Sequence, residues 1–287
     1  MGVGNAAVRL TVKLYREGRF KGLRSVIELG SQDLHFEKRM DIYPLLQGAL
    51  GRSDEELKAL VEQAIARSTE RDFGTRWLYE LMGFTEYACI DADGRHGAFV
   101  WDLNLPVPQE HQGRYDLVTN HGTTEHVFNV YQSFKNIHDL SRPGGLMLHM
   151  LPMQGYLNHG FFNFQPCFYD DLASENQYEM VEKQLIIHPV DDPERQTMLQ
   201  YSPDNFAQHF TPSSSALLAV VVRKVNDGPF RIPFHGVYGA ESCLLPYYRV
   251  SLTSKIMQRA AVVLLRDENS MARRAIRKLQ RMFGANR

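Results

Sequence analysis

The sequence predicts an α/β fold in which a doubly wound, mostly parallel sheet is covered by helices on both faces. Short apolar runs typical of strands alternate with amphipathic stretches typical of helices, and polar residues follow the strands directly. The chain has 287 residues, of which 44% are hydrophobic and 23% are charged. This is an ordinary globular composition with room for one large domain or two small ones, and we expect one domain over 1–287.

A long connection separates the first predicted strand from the second. Apolar spacing predicts a short helix over 5–17, and Val26, Ile27 and Leu29 predict the first strand. The distance from that strand to the next is roughly twice a standard crossover. We therefore expect a helical insertion or lid over 33–72.

A clear helix is predicted inside this insertion, over residues 53–68 (SDEELKALVEQAIARS). Ser53 is the candidate N-cap, Glu56 is its expected capping-box partner, and acidic residues fill the first turn. A second helix is predicted over Thr75–Met82 and ends near Gly83.

The later elements continue the alternation of strands and helices. In chain order we expect strands at TEYACID (ending at Asp91), GAFVWDLN (ending near Asp102) and RYDLVTNHG (ending near Asn120), a helix over Val127–Leu140, a turn at Arg142–Gly145, a strand at LMLHMLP, and further strands at Leu185–His188 and Ala216–Arg223.

Charge and cysteine content exclude several classes of protein. The net charge of −1 gives no reason to expect a nucleic-acid partner. Three widely spaced cysteines, Cys89, Cys167 and Cys243, form neither a disulfide framework nor a zinc pattern, so we expect a cytoplasmic protein. Cysteine and histidine spacing shows no metal site, and we assign no metal-binding residue; a divalent ion bound by acids of the pocket stays an open alternative without support in the sequence. The N-terminus lacks the apolar core of a secretory signal, and no run of about 18 apolar residues could span a membrane.

Polar residues after the predicted strands indicate a nucleoside site. Ligands of open α/β sheets bind beyond the carboxyl ends of the strands. Gly30 allows close approach of a ligand, Asp91 can accept hydrogen bonds from both ribose hydroxyls, and Asp102 can accept from an adenine amino group beside the Leu103 amide.

The loop after the first strand argues against a phosphate-bearing ligand. It contains one glycine where the dinucleotide fingerprint has three, so it offers few free backbone amides for a pyrophosphate. Asp33 adds a negative charge that we expect to repel phosphate. A ligand with ribose and adenine but without phosphate fits better, and a cationic one better still.

Five motifs occur in a characteristic order: VIELGSQ, CID, WDLNLP, YDLVTNHGTTEHV and LSRPGGLMLHMLP. Together they resemble the class I S-adenosylmethionine-dependent methyltransferases, and TTEHV with the downstream RPGG is particularly similar to the small-molecule branch. The resemblance covers about residues 23–155. It implies a Rossmann-like, seven-stranded sheet and S-adenosylmethionine as cofactor.

The resemblance also assigns residues to the cofactor. It places Glu28 and Gly30 in the methionine-side loop, Asp91 at the ribose and Asp102 by the adenine, with Asn120 and His121 near the sulfonium. The predicted cofactor-binding residues are Glu28, Gly30, Ser31, Asp91, Asp102, Leu103 and Asn120. Ser31 and Gln32 stand where the family usually alternates glycines, which is typical of a divergent branch.

An aromatic and amide-rich stretch, 150–176, follows the fifth predicted strand and is suited to an acceptor substrate. We therefore expect an acceptor-side insertion over 150–215. The predicted substrate-binding residues are Tyr156, Asn158, Phe162, Asn163 and Gln165. A packing role is the stronger interpretation for Phe161, Phe162, Phe164 and Phe168.

A hydroxyl acceptor must lose a proton, and histidine suits that task near neutral pH. His159 is preferred because it lies in the polar aromatic stretch; His121 and His126 follow in that order. If the acceptor is an amine, these histidines need only position it.

The segment 252–287 predicts a basic amphipathic helix with five cations, Arg273, Arg274, Arg277, Lys278 and Arg281. Two interpretations stay open for it: a surface helix docked by its apolar stripe, or peripheral contact with an anionic membrane.

The sequence therefore predicts an S-adenosylmethionine-dependent enzyme that methylates a small polar acceptor, such as a sugar or natural-product intermediate, on oxygen. Two alternatives remain: a nicotinamide-dependent oxidoreductase or sugar-nucleotide enzyme on a similar sheet, and a non-catalytic nucleoside-binding module. The sequence predicts no oligomeric state.

Overall fold

A seven-stranded sheet is the centre of the computed structural model, which describes residues 2–69 and 73–235. Its strands are β1 (Ser25–Leu29), β2 (Glu86–Ile90), β3 (Tyr115–His121), β4 (Ser141–Gln154), β5 (Glu179–Pro189), β6 (Thr197–Gln200) and β7 (Ser214–Arg223).

The strands lie side by side in the order β2-β1-β3-β4-β7-β5-β6. The pairs β1–β2, β1–β3 and β3–β4 are parallel, whereas β7 is antiparallel to both of its neighbours and β6 is antiparallel to β5. Five of the seven strands, β1 to β5, therefore run in the same direction. The predicted mostly parallel, seven-stranded, Rossmann-like α/β sheet is confirmed.

Seven α-helices accompany the sheet in the described residues: α1 (Asn5–Arg16), α2 (Tyr43–Leu46), α3 (Asp54–Arg67), α4 (Arg76–Leu81), α5 (Val130–Leu140), α6 (Pro166–Glu175) and α7 (Pro203–His209). Successive strand residues point to opposite faces, so Val26 packs in one apolar cluster with α1 to α4 while Ile27 packs in the other with α5 and α6. Both faces of the sheet are thus covered.

The predicted helix at 53–68 is confirmed as α3, but its capping differs in one detail. The Ser53 hydroxyl accepts a hydrogen bond from the Glu56 amide at 3.2 Å, as expected for an N-cap. The Glu56 side chain does not complete a capping box; it pairs with Arg52 one turn away. The insertion over 33–72 contains α2, α3 and a short 3-10 helix, Arg39–Ile42.

The predicted strand at GAFVWDLN is wrong. Only Phe99 forms a bridge there, to Ile90, and no ladder extends from it. The Asp102 carboxylate accepts hydrogen bonds from the Asn104 amide and side chain, at 2.9 and 2.7 Å, which bends the chain into a turn. This segment is therefore a loop beside the sheet.

The predicted turn at Arg142–Gly145 occurs inside β4 as a bulge. Tyr115 of β3 pairs with Ser141, but Leu117, two residues on, pairs with Leu146. The intervening residues loop out, and Gly144 supplies a φ of +82°.

Much of the stretch predicted as an acceptor-side insertion, 150–215, belongs to the sheet. It includes the end of β4 and all of β5 and β6. The strand candidates at 185–188 and 216–223 are confirmed within β5 and β7. The connection that remains free to form a site is the loop 155–165.

The sheet and its helices lie in the first of two units into which the chain divides, Met1–Phe234. The predicted basic helix over 252–287 lies outside the described residues. Within the described parts of the chain, no helix combines the length and apolar character needed to cross a bilayer.

Candidate functional site

A cavity of about 570 Å³ opens where β1 and β2 end. It is lined by Gly30, Ser31, Gln32, Ile90, Asp91, Ala92, Val100, Trp101, Asp102, Leu103, Gly122, Thr123, His126 and Val127. We call it the nucleoside cavity. Five of the seven predicted cofactor-binding residues lie in its lining, namely Gly30, Ser31, Asp91, Asp102 and Leu103.

Asp91 follows β2 and is held at the rim of the nucleoside cavity. Its Oδ2 accepts hydrogen bonds from the Ser31 amide at 2.8 Å and the Ser31 hydroxyl at 3.0 Å. Partial burial alone would raise the pKa of Asp91, but the hydrogen bonds from Ser31 outweigh it and lower the pKa. The carboxylate is therefore ionised and fixed, as a hydroxyl acceptor must be.

Gly30 sits at the tightest point of the loop after β1. Its φ is +90° and its amide donates to the Ile90 carbonyl at 2.7 Å. A Cβ at this position would lie 2.3 Å from Gln32 Nε2 and 2.8 Å from Thr123 Oγ1. The glycine is required both by backbone conformation and by space.

Gln32 fills the place where the expected motif has a further glycine. Its Nε2 donates to the carbonyls of Leu29 and His121, each at 3.1 Å, and so ties the loop to the ends of β1 and β3. Its Oε1 is buried and accepts no hydrogen bond from the described residues. This unsatisfied acceptor belongs to a side chain that lines the nucleoside cavity.

Gly30→Ala is expected to destabilise the protein by about 1–2 kcal/mol through its positive φ, and to displace Gln32 into the nucleoside cavity. Gly113→Ala is the matched control, since Gly113 has a φ of +65° but nothing within 4 Å of the added Cβ. Urea unfolding measures how much free energy of unfolding each variant loses through the positive φ. If the affinity of the nucleoside cavity for its ligand falls equally in both variants, displacement of Gln32 is not the cause.

An aromatic and apolar wall forms the opposite side of the nucleoside cavity. Trp101 stacks on Phe99 with ring centroids 4.5 Å apart and planes 3° apart. Val127 is buried beside them. Asp102 is exposed at the rim, and the hydrogen bonds from Asn104 lower its pKa. The arrangement offers a flat face next to an anionic edge, which suits a nucleobase.

Glu28 does not reach the nucleoside cavity. It is one residue from the end of β1, and alternation turns its side chain toward α4. Its carboxylate is fully buried and accepts hydrogen bonds from Tyr79 at 2.9 Å, Tyr87 at 2.7 Å and Thr75. Burial raises its pKa, and the hydroxyl donors offset this only in part. The structure gives Glu28 a place in the packing of the sheet.

Asn120 likewise does not line the nucleoside cavity. It is buried, and its Nδ2 donates to Thr124 Oγ1 at 2.8 Å and lies 3.2 Å from His149 Nδ1. These contacts fix the turn that follows β3. Asp33 also lies outside the lining, because it pairs with Arg95 at 2.7 Å and His96 at 2.9 Å. The negative charges at the cavity are those of Asp91 and Asp102.

A second cavity of about 560 Å³ lies beyond β3 and β4, and we call it the acceptor cavity. Its lining includes His121, Gly122, Met150, Tyr156, His159 and His188. Gly122 lines both cavities, so the two meet at the carboxyl end of β3. Of the predicted substrate-binding residues, Tyr156 alone is in this lining.

The other predicted substrate-binding residues have different surroundings. Asn158 and Asn163 are exposed, and Asn158 has a φ of +59°. Gln165 precedes α6 as its N-cap residue, and Phe162 packs partly buried against the core together with Phe168.

The four phenylalanines of this stretch divide between the core and the surface. Phe164 is buried and joins the core, as expected. The packing prediction is wrong for Phe161, which is 65% exposed and contacts Phe128 edge to face at 5.8 Å. The Phe161 backbone amide is hydrogen-bonded to the turn that follows β3, while its side chain lies at the surface.

His126 and His159 converge on Glu125, a residue that the sequence analysis missed. The Glu125 Oε1 lies 3.9 Å from His126 Nε2 and 3.8 Å from His159 Nε2, and the two imidazole centroids are 5.1 Å apart. His126 lines the nucleoside cavity and His159 the acceptor cavity. Burial raises the pKa of Glu125 to about 7 and lowers those of both histidines.

The loop after β4 holds His159 in place. The Glu125 carbonyl accepts hydrogen bonds from the Phe161 amide at 2.7 Å and the Phe162 amide at 3.3 Å. A Cβ on Gly160 would lie 2.9 Å from that carbonyl oxygen. The absence of a side chain at Gly160 therefore lets the loop close on the turn that carries Glu125.

His121, the second predicted base, is poorly placed for proton transfer. Its ring is fully buried, neither nitrogen has a partner among the described residues, and burial lowers its pKa to about 4. In contrast, His188 is oriented: its Nδ1 lies 2.9 Å from the Pro189 carbonyl and its Nε2 2.7 Å from the Tyr156 hydroxyl. Nδ1 therefore carries the proton, and Tyr156 donates to Nε2.

Sequence reasoning missed Gln32, Trp101, Gly122 and Glu125 as site residues. Trp101 stands beside the predicted Asp102, so its position in WDLN was an available signal. Glu125 stands beside the predicted His126 in TTEHV, which was the same kind of signal, but its burial between the two histidines depends on the fold.

Comparisons with known proteins found structural likeness only. No protein-family model and no curated protein sequence matches the chain. A methyltransferase of Burkholderia thailandensis, 1,6-didemethyltoxoflavin-N1-methyltransferase with bound 1,6-didemethyltoxoflavin and S-adenosylhomocysteine, is 12% identical with a TM-score of 0.39, over 77% of this chain and 79% of its own.

Two further solved structures are similar to the same degree. A SAM-dependent methyltransferase of Archaeoglobus fulgidus is 11% identical with a TM-score of 0.38, over 75% of this chain and 93% of its own. The O-methyltransferase of a trans-AT PKS multienzyme of Brevibacillus brevis, in complex with S-adenosyl-L-homocysteine, is 13% identical with a TM-score of 0.34, over 75% and 71%. At such low identities and TM-scores, the likeness does not indicate which reaction this protein catalyses. That inference depends on the residues of the two cavities.

Proposed function

We propose that this protein is an S-adenosylmethionine-dependent methyltransferase that methylates a small polar acceptor on oxygen. The observation that carries the proposal is the meeting of two cavities of similar size at Gly122. The nucleoside cavity has a ribose acceptor and an aromatic face, and the acceptor cavity has histidines and a tyrosine. Transfer between two bound molecules needs such adjoining sites.

The residues present fit a nucleoside sulfonium better than a nucleotide. Asp91 and Asp102 place negative charge in the lining, which favours a cation and disfavours phosphate. The loop after β1 has one glycine, so it lacks the open amides of a pyrophosphate cradle. The unpartnered Oε1 of Gln32 can accept from an ammonium group. Gln32, Asp91 and Trp101 would hold the methionine end, ribose and adenine respectively.

S-adenosylmethionine, when bound, supplies a methyl carbon on a positively charged sulfur that needs no activation by the protein. The protein's own task is to align the acceptor oxygen and exclude water. His159 lines the acceptor cavity and accepts the proton that the hydroxyl loses as the methyl group moves to its oxygen. Glu125, 3.8 Å away, stabilises the resulting imidazolium.

Calorimetric titration of S-adenosylhomocysteine and NAD⁺ into the full chain tests the proposal. We expect micromolar affinity for S-adenosylhomocysteine, on the order of −8 kcal/mol, and none for NAD⁺. Preference for NAD⁺ would support the oxidoreductase alternative, and binding of neither would contradict a nucleoside site.

Trp101→Ala is expected to weaken S-adenosylhomocysteine binding by roughly 5- to 150-fold, because stacking of a base on an aromatic ring contributes about 1–3 kcal/mol. Trp101→Phe keeps a ring and should retain most of the affinity. Calorimetry on both variants separates stacking from a general loss of structure. Equal losses in the two variants would contradict a stacking role.

A further inference from the structure

We propose that Glu125, His126 and His159 bind a divalent transition-metal ion at the junction of the two cavities. The three side chains come from the turn after β3 and the loop after β4, and their ligand atoms all lie within 4.8 Å of one another. Binding of the ion needs no assumption about the reaction; its role described below rests on the proposed function.

The distances suit a shared ion. Glu125 Oε1 lies 3.9 Å from one imidazole Nε2 and 3.8 Å from the other. Two ligand atoms that are each about 2.1 Å from a metal lie about 3–4 Å apart. A shift of a few tenths of an ångström would complete the coordination, and neither imidazole needs to leave its cavity wall.

Glu125 provides the independent indication of a cation. Its side chain has 0% exposure, and neither carboxylate oxygen accepts a hydrogen bond from the described residues. The two imidazoles lie at 3.8–3.9 Å, beyond hydrogen-bond distance, and a buried carboxylate without a hydrogen-bond donor costs several kcal/mol, so native structures rarely keep one uncompensated. A metal ion between Glu125 and the two imidazoles would remove that cost.

The donor set selects the class of metal. Two imidazole nitrogens and one carboxylate favour Zn²⁺, Fe²⁺, Co²⁺ or Mn²⁺ over Mg²⁺ and Ca²⁺, which prefer all-oxygen sites. Three protein ligands leave coordination positions open, as in catalytic metal sites. His159 borders the acceptor cavity, so an acceptor hydroxyl can reach the ion.

The ion would change the role of His159. An imidazole nitrogen that coordinates a metal cannot accept a proton, so the ion would instead lower the pKa of the acceptor hydroxyl, and the proton that the hydroxyl loses would pass to water. The proposal therefore goes beyond the sequence analysis, which assigned no metal-binding residue. The lack of an assignment rested on spacing, and Glu125, His126 and a residue 33 positions further on do not form a recognisable spacing.

Titration of Zn²⁺ and Co²⁺ into chelator-treated, untagged full-length protein tests the site. We expect one ion per chain and a Co²⁺ absorption spectrum typical of nitrogen and oxygen ligands. Glu125→Gln, His126→Gln and His159→Gln should each weaken binding at least tenfold, since loss of a supporting residue alone typically costs 10- to 100-fold. His209→Gln, on exposed α7, is the control and should bind as wild type does.

The outcomes separate this proposal from the proposed function. Absence of stoichiometric Zn²⁺ binding, or binding that survives both His126→Gln and His159→Gln, overturns the metal site. Those two variants keep the test decisive if Glu125→Gln fails to fold. S-adenosylhomocysteine titrated into the same samples reports on the nucleoside cavity alone, so metal binding without it would overturn the methyltransferase and leave the metal site standing.

Discussion

Asp91→Ala is expected to weaken S-adenosylhomocysteine binding by about 100-fold or more. Its ionised carboxylate is fixed at the rim of the nucleoside cavity by Ser31, in a position to accept from ribose hydroxyls. Hydrogen bonds to charged groups contribute about 1.5–3 kcal/mol each, and every 1.4 kcal/mol is a factor of ten in affinity. Calorimetric titration of wild type and variant measures the loss directly.

Two controls isolate the ribose contact from damage to the loop. Ser31→Ala removes one hydrogen bond to Asp91 but leaves the carboxylate in place, so it should cost much less affinity. An S-adenosylhomocysteine analogue without ribose hydroxyls should bind wild type weakly and lose nothing further in Asp91→Ala. Additive losses, or full affinity in Asp91→Ala, would show that Asp91 does not hold the ribose.

Glu28→Ala is expected to lower the free energy of unfolding by about 3–5 kcal/mol without removing ligand binding. The change leaves the hydroxyls of buried Thr75 and Tyr79 and of partly buried Tyr87 without their shared acceptor and opens a cavity next to α4. Urea unfolding followed by circular dichroism measures the loss. S-adenosylhomocysteine affinity should stay within about threefold of wild type.

Glu28 also predicts a pH dependence of stability. Burial raises its pKa above 4.5, so the folded protein keeps a proton that the unfolded chain releases. Its contribution to the free energy of unfolding is therefore largest below the unfolded pKa and declines as pH rises through the raised, folded value. Glu28→Gln cannot titrate and should flatten this decline. An unchanged pH profile, or strong loss of ligand affinity in Glu28→Ala, would contradict the assigned role.

Asp91 and Glu28 differ in whether their position near a strand end brings the side chain to the nucleoside cavity. Both are acidic residues near the carboxyl end of a parallel strand, and both were predicted to bind the cofactor. Asp91 follows β2 and lies in the loop, where a side chain is free to face a ligand. Glu28 is still within β1, so the pleat sends it to one face of the sheet.

The histidines illustrate a different limit. The sequence placed His126 and His159 near the acceptor, but nothing local to either residue indicates that they meet. The two ring centroids are 5.1 Å apart because the loop after β4 packs on the turn after β3, with Gly160 at the contact. Glu125 was passed over because an acid in a sequence is expected to be solvated.

The sequence by itself determined most of the elements around the site and the edge of the sheet that carries it, although it did not predict α2, α6, α7 or β6. The other elements could be predicted without the fold, because periodicity, helix caps and glycine turns each depend on only a few neighbouring residues. Only the tertiary structure decided that GAFVWDLN forms a loop, that Gln32 closes the end of β1, and that Glu125 is buried between two imidazoles. Those facts depend on burial and on contacts between residues far apart in the chain, which no local pattern specifies.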